Sequence, residues 1–264
     1  MKTLHFITGL PRSGSTMIAN ILKQNPTVHG EAVSSLSGLF GTMHNNWLNF
    51  TENLEYPNLD IKKNVLHSLL EGYYKHIDKS IIFDRSLQWV SFIPLLETVL
   101  ERKVKLLVTV RNPAEILASF EKLRRSNPLF TTKVDMTLGK SSSIESRSIY
   151  YSGPDGELGL SHRLLKNAIS MNYLDRMLFV DYGRFCNTPK AQTKRIYEFF
   201  EMPEFEHNFN SIEQTEVYND YVAGLPNLHK IKPSLQKTTI NCIEFLGIDL
   251  YDQYNREVFW NALV

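Results

Sequence analysis

An α/β fold of the phosphate-loop type, three layers deep with a central parallel sheet between helices, is predicted by three features of the 264-residue chain. First, an apolar opening strand runs directly into Gly9-Leu10-Pro11-Arg12-Ser13-Gly14-Ser15-Thr16, which has the outline of a nucleotide-phosphate loop. Second, apolar strands recur at 81–84, 104–110 and 177–181, alternating with segments of helical period. Third, those strands are almost continuously apolar, as strands covered by helices on both faces must be. At this length a single domain, residues 1–264, buries an ample core.

The loop departs from the triphosphate pattern G-x-x-x-x-G-K-[ST] at one place. Gly9, Gly14 and Thr16 hold their positions, Ser15 stands where the lysine belongs, and Arg12 brings a cation earlier. Backbone N–H groups at the start of the following helix still favour an anion. Without the lysine, a terminal phosphate of ATP loses its usual point charge, so the loop suits a phosphate-like group other than ATP. Met17, Ile18, Ile21 and Leu22 then mark an apolar helical stripe. A stretch rich in Ser, Gly and Asn leads to a second helix expected at 61–76, and the strand 81–84 follows. Phe92, Leu95, Leu96, Val99 and Leu100 repeat at i, i+3, i+4, i+7 and i+8, which predicts another helix.

After the strand 104–110, Arg111 occupies the carboxyl end and Asn112-Pro113 opens a helix through Arg125. Asn112 is a favourable N-cap, Pro113 suits the first helical position, and Glu115 is spaced for a capping box. Ser119 lies on the helix face shared with Asn112 and Glu115, so a guanidinium and a hydroxyl stand ready for a second phosphate. Residues 126–160, with Ser141-Ser142-Ser143 and Gly153-Pro154-Asp155-Gly156, read as a long irregular excursion over the site. The strand 177–181 is followed by a helix at 189–201 that Pro203 helps to stop. Gly9, Asp84, Arg111 and Asp181 all fall at strand carboxyl ends, where ligands bind in open parallel sheets.

The net charge of +1 excludes bulk attraction to nucleic acid or to an anionic membrane surface. No apolar run reaches the ~20 residues of a membrane span, and no leader pattern precedes the first strand. Cys186 and Cys242 lack metal-ligand spacing and read as idle thiols in a reducing, cytoplasmic compartment. No metal site is expected. The sequon Asn49-Phe50-Thr51 is expected to be idle.

Pro11 to Thr16, Asn25-Pro26 and Gly30-Glu31, together with Arg111 and Ser119, resemble the PAPS-dependent sulfotransferases, and in pattern the tyrosylprotein sulfotransferase branch most closely. The resemblance covers roughly the first third of the chain and residues 81–125, and continues more weakly from Met177. It implies a 5′-phosphosulfate loop at Pro11, Arg12, Ser13, Gly14, Ser15 and Thr16, and a 3′-phosphate site at Arg111 and Ser119. Arg85 falls where the family carries a catalytic lysine, a planar fork in place of a point charge. Glu31 matches the family's general base, although Ala32 replaces a second glutamate and one gap is needed. Tyr182 matches an aromatic residue beside the adenine, and Lys230 and Lys232 match a late basic loop that closes over the nucleotide. Arg124 and Arg125 are further candidates for the 3′-phosphate, or cations placed for the helix dipole. His5, His29 and His44 are rival bases whose ordinary reading is structural.

The resemblance implies transfer of a sulfuryl group from PAPS to a hydroxyl acceptor, releasing PAP, without a metal. Residues 31–80 would then face the acceptor, whose class the sequence does not encode. Two alternatives stay open: a phosphate-loop kinase with magnesium on Asp84 or Asp181, and an inactive module that binds PAP without turnover.

Overall fold

The computed structural model describes residues 2–237, 239–256 and 258–264. Five strands, β1 (Thr3–Gly9), β2 (Val28–Glu31), β3 (Ile81–Arg85), β4 (Leu106–Val110) and β5 (Met177–Asp181), form one parallel sheet in the order β2-β3-β1-β4-β5. Their side chains alternate between two cores, as period-two geometry requires. Phe6, Ile82, Leu106, Val108 and Phe179 pack on one face with Trp89, Leu96, Ile116 and Phe120. Ile7, Phe83, Leu107 and Val180 pack on the other with Ile18, Ile21, Phe185, Ile196 and Tyr197. That is the expected three-layer arrangement.

The helices are α1 (Ser15–Leu22), α2 (Leu36–Asn45), α3 (Thr51–Glu55), α4 (Leu59–Tyr73), α5 (Ile93–Leu100), α6 (Pro113–Arg125), α7 (Lys133–Leu138), α8 (Ile144–Ser152), α9 (Glu157–Ser170), α10 (Tyr182–Asn187), α11 (Pro189–Phe200), α12 (Cys242–Leu246) and α13 (Ile248–Tyr254). The helix expected at 61–76 begins earlier, because Asn58 accepts a hydrogen bond from the Ile61 amide at 3.0 Å and caps it. Strand β2 is an addition: four residues at the sheet edge, alternately buried and half-buried, give too short a pattern to be read. Gly30 in β2 is required by packing, since a Cβ there would lie 2.4 Å from the Ala19 carbonyl of α1.

The excursion expected to be irregular at 126–160 is largely helical. Thr132 and Asp135 form a reciprocal capping box on α7, and Ser143 caps α8 through the Ser146 amide. Arg147 of α8 is buried and donates to both carboxylate oxygens of Glu121 at 2.9–3.0 Å, which fastens the segment to α6. No described helix is long and apolar enough to cross a membrane.

Candidate active site

The loop after β1 is drawn tight against β4. Gly9 has φ 127° and approaches so closely that an added Cβ would lie 2.0 Å from the Thr109 carbonyl. Leu10 N donates to that carbonyl at 2.8 Å. The Ser13 hydroxyl is fully buried, 2.6 Å from both the Leu10 carbonyl and the Thr109 hydroxyl. Ser13 therefore braces the loop from beneath and offers the cavity no side chain. Arg12 adopts a left-handed backbone at φ 56°, uncommon outside glycine, and this turns its side chain over the loop. Gly14 at φ 87° precedes α1 and supplies no side-chain cap, leaving the orphan N–H groups that open every helix for an anion.

These elements border a cavity of about 370 Å³, lined among others by Pro11, Arg12, Gly14, Ser15, Thr16, Arg85, Arg111, Ser119, Tyr182, Lys230 and Lys232. All the expected site residues meet there except Glu31 and Ser13. Glu31 ends β2 one strand beyond Arg85, and its carboxylate lies 3.3 Å from His29 Nε2. His5 and His44 lie outside the cavity, and burial, the first cause in each, lowers both imidazole pKa values.

Three guanidiniums converge on the cavity. Arg12 donates from Nε to Ser119 Oγ at 3.2 Å and from Nη1 to the Leu228 carbonyl. Its pKa is held down to about 10 by burial and then by the repulsion of Arg111 and Arg85. Arg111 donates from Nε to Glu115 Oε2 at 2.7 Å and lies 4.7 Å above the Tyr182 ring. Glu115 thus pairs with the arginine instead of completing the capping box, because a charged donor outcompetes a neutral amide; Asn112 caps α6 alone, accepting from Ala114 N at 2.9 Å. Tyr182 is committed beneath the loop: its ring lies where a Gly14 side chain would be, 2.4 Å from the added Cβ.

Arg85 is the least satisfied of the three. Its Nε is buried and has no hydrogen-bond partner among the described residues. Strand alternation sends the neighbouring Asp84 to the opposite face, where it is fully buried and accepts from Trp89 Nε1 at 2.5 Å and from the Tyr74 hydroxyl. Burial raises the Asp84 pKa, and its bonded place in the core suits no magnesium. Asp181 instead caps α10 through the Arg184 amide at 2.9 Å. Among the described residues no cluster of His, Cys, Asp and Glu could hold a metal ion. Arg124 and Arg125 turn away from the phosphate site: Arg124 pairs with Asp135, and Arg125 with Glu121 and the carbonyls that end α12.

The structure adds two residues that the sequence did not point to. Glu157, the first residue of α9, borders the cavity with its pKa raised by burial and opposed by Lys133, Arg85 and Arg12. His229 borders it from the covering segment after α11. Glu157 arrives at the start of a helix in the segment expected to be irregular, and His229 lies beside Lys230 in the late basic loop without being a candidate of its own.

A family model described as "Sulfotransferase domain" matches residues 2–243. The chain belongs to the sulfotransferase family. It is a transferase that takes a sulfuryl group from PAPS and releases PAP. Among solved structures it is similar to the sulfotransferase domain from the curacin biosynthetic pathway, at 14% identity and TM-score 0.61, covering 98% of this chain and 99% of that one. The sulfotransferase domain of the Synechococcus PCC 7002 olefin synthase aligns at 19% identity and TM-score 0.49, covering 100% and 92%. A mouse sulfotransferase complexed with PAP aligns at 14% identity and TM-score 0.48, covering 97% and 85%. No curated protein matches the chain.

Proposed function

We propose that this sulfotransferase holds PAPS in the arginine-lined cavity and transfers its sulfuryl group to a hydroxyl acceptor without a metal. The observation that carries this reading is the crowding of Arg12, Arg85 and Arg111 on one cavity, where mutual repulsion lowers the Arg12 pKa and a multiply charged anion would relieve it. A bisphosphorylated nucleotide would engage both the loop amides and the Arg111 side of this cavity. The loop amides and Arg12 would hold the 5′-phosphosulfate, and Arg111 with Ser119 the 3′-phosphate. Lys230 and Lys232 would cover the nucleotide, and Tyr182 keeps Arg111 in place from below.

Sulfuryl transfer asks a protein chiefly for positioning and for charge stabilisation on the departing oxygen. Arg85, with its unpartnered Nε, would supply that stabilisation. Arg85 and Leu87 also line a second groove with Ser34, Ser35, Ser37 and Thr42, which would admit the acceptor to the reacting end of the cavity. The two free cysteines support a reducing, cytoplasmic setting.

The test is thermal stabilisation by PAP against ATP. PAP is expected to raise the Tm in proportion to RT ln(1 + [L]/Kd), and ATP, which needs the absent loop lysine, to raise it little. Equal stabilisation by ATP would remove the reading. Arg111→Ala removes a charge-assisted contact of ~1.5–3 kcal/mol and is expected to weaken PAP binding roughly 10- to 150-fold. Titration calorimetry checks that figure, with the ligand-free Tm separating lost binding from the lost Glu115 pair.

A further inference from the structure

The acceptor hydroxyl must lose a proton, and the Asp220–His229 pair is built to take it. Both residues lie in the covering segment between α11 and α12, nine positions apart. Asp220 is buried and accepts twice from the same residue: from His229 N at 2.9 Å through Oδ2 and from His229 Nδ1 at 2.6 Å through Oδ1. A carboxylate only accepts, so Nδ1 carries the hydrogen and Nε2 of the neutral ring keeps its lone pair. The carbonyl just before the ring, that of Leu228, is held by Arg12, and the His229 carbonyl accepts from Gln214 Nε2 at 3.0 Å. The backbone on both sides of the imidazole is thus tied to the donor loop and to the covering segment.

We propose that His229 is the general base of sulfuryl transfer and that Asp220 is its positioning residue, an assignment that rests on the donor reading above. In the step, the acceptor oxygen bonds to sulfur as the bond between sulfur and the 5′-phosphate oxygen breaks. The electron pair of that bond stays on PAP, and the hydroxyl proton passes to His229 Nε2. The imidazolium, stabilised by Asp220, later releases the proton to solvent, so that alcohol and PAPS become sulfate ester, PAP and one proton.

The charged and titratable groups facing His229 are Asp220, Arg12, Arg85 and the Tyr218 phenol, whose ring centre is 5.4 Å away. Burial lowers the His229 pKa, Arg85 and Arg12 lower it further, and Asp220 opposes them. The ring is therefore neutral, and ready to accept, at neutral pH. Glu31 lies outside the cavity against His29, and among the described residues none hydrogen-bonds the Glu157 carboxylate as Asp220 bonds His229.

The experiment measures single-turnover release of labelled sulfate from bound PAPS, to water and to 2-naphthol, beside PAP affinity. His229→Gln is expected to slow transfer by about 100-fold or more while binding PAP almost as the natural protein does. Added imidazole should restore part of the rate to His229→Ala, which a structural role would not allow. The rate of the natural protein should fall with acid as His229 protonates, and Asp220→Asn, which removes the group that raises its pKa, should move that inflection lower. Nitrogen chemical shifts of His229 in the PAP complex, which need no acceptor, should show hydrogen on Nδ1 and none on Nε2. The opposite tautomer, or transfer abolished by Glu31→Gln or Glu157→Gln but not by His229→Gln, would overturn the assignment. Failure of the natural protein to bind PAP would instead remove the donor reading beneath it.

Discussion

Replacing Arg85 by alanine is expected to slow sulfuryl transfer about 100- to 1000-fold, the usual effect of losing one preorganised donor at a developing anion. Its side chain borders both the donor cavity and the serine-lined groove, the junction where the transferred group must pass. The change should be clean. Asp84, the adjacent acid, is satisfied by Trp89 and Tyr74 on the other face of the sheet, and Glu157, which loses one nearby cation with the arginine gone, keeps Lys133 and Arg12. The ligand-free Tm should therefore stay near that of the natural protein, and PAP affinity should fall far less than the rate. Arg85→Lys returns the point charge at this strand end and is expected to recover most of the loss. Labelled PAPS with an acceptor panel reads the rates; turnover by Arg85→Ala within threefold of the natural protein would take Arg85 out of the chemistry.

The three arginines were legible because each sits at the end of an apolar strand, immediately after it, or one short turn beyond. Strand ends are the part of an α/β fold that periodicity locates best, and position there already implies a ligand-facing side chain. What escaped the sequence lacked periodicity or depended on competition. Strand β2 is four residues long and alternates only once or twice. Glu115 was correctly placed on the first turn of α6, yet spacing alone could not show that Arg111 would claim its carboxylate. Ser13 belongs to the loop motif, but its hydroxyl turns inward to Thr109 because strand β4 pairs with β1, a contact across 96 residues. The helices in 126–160 hid behind serines and glycines that look like loop and serve as caps.

The Asp220–His229 pair marks the limit of such reading most plainly. Neither residue lies on a helix or strand, so no face or register brings them together. Their contact exists because Arg12 and Gln214 fix the carbonyls beside and within His229. Side-chain hydrogen bonds of irregular segments are set by tertiary closure, and only coordinates reveal them. The donor loop thus does two things with one side chain: Arg12 presents charge to the cavity and anchors the segment that covers it.

That double duty depends on the loop's tight seat, which makes Gly9→Ala the variant with the largest expected effect on folding. Two separate penalties meet at this residue. Its φ of 127° is a region that residues with a side chain rarely adopt, and a Cβ would lie 2.0, 2.5 and 2.8 Å from the carbonyl oxygen, amide nitrogen and carbonyl carbon of Thr109. These are backbone atoms of a central strand, so no rotamer change relieves them. Gly139→Ala is the matched control: its φ is 88°, and nothing lies within 4 Å of the added carbon. That control should cost only the local conformational term, about 1–3 kcal/mol. Gly9→Ala should exceed it by several kcal/mol, a further fall in Tm of roughly 6–12 °C for ~3 kcal/mol in a chain of this size, or yield no soluble protein at all. Thermal unfolding of both variants decides the matter. Equal Tm losses would mean that β1 and β4 can part at the loop without consequence, and that the close approach is not what holds Arg12 over the cavity.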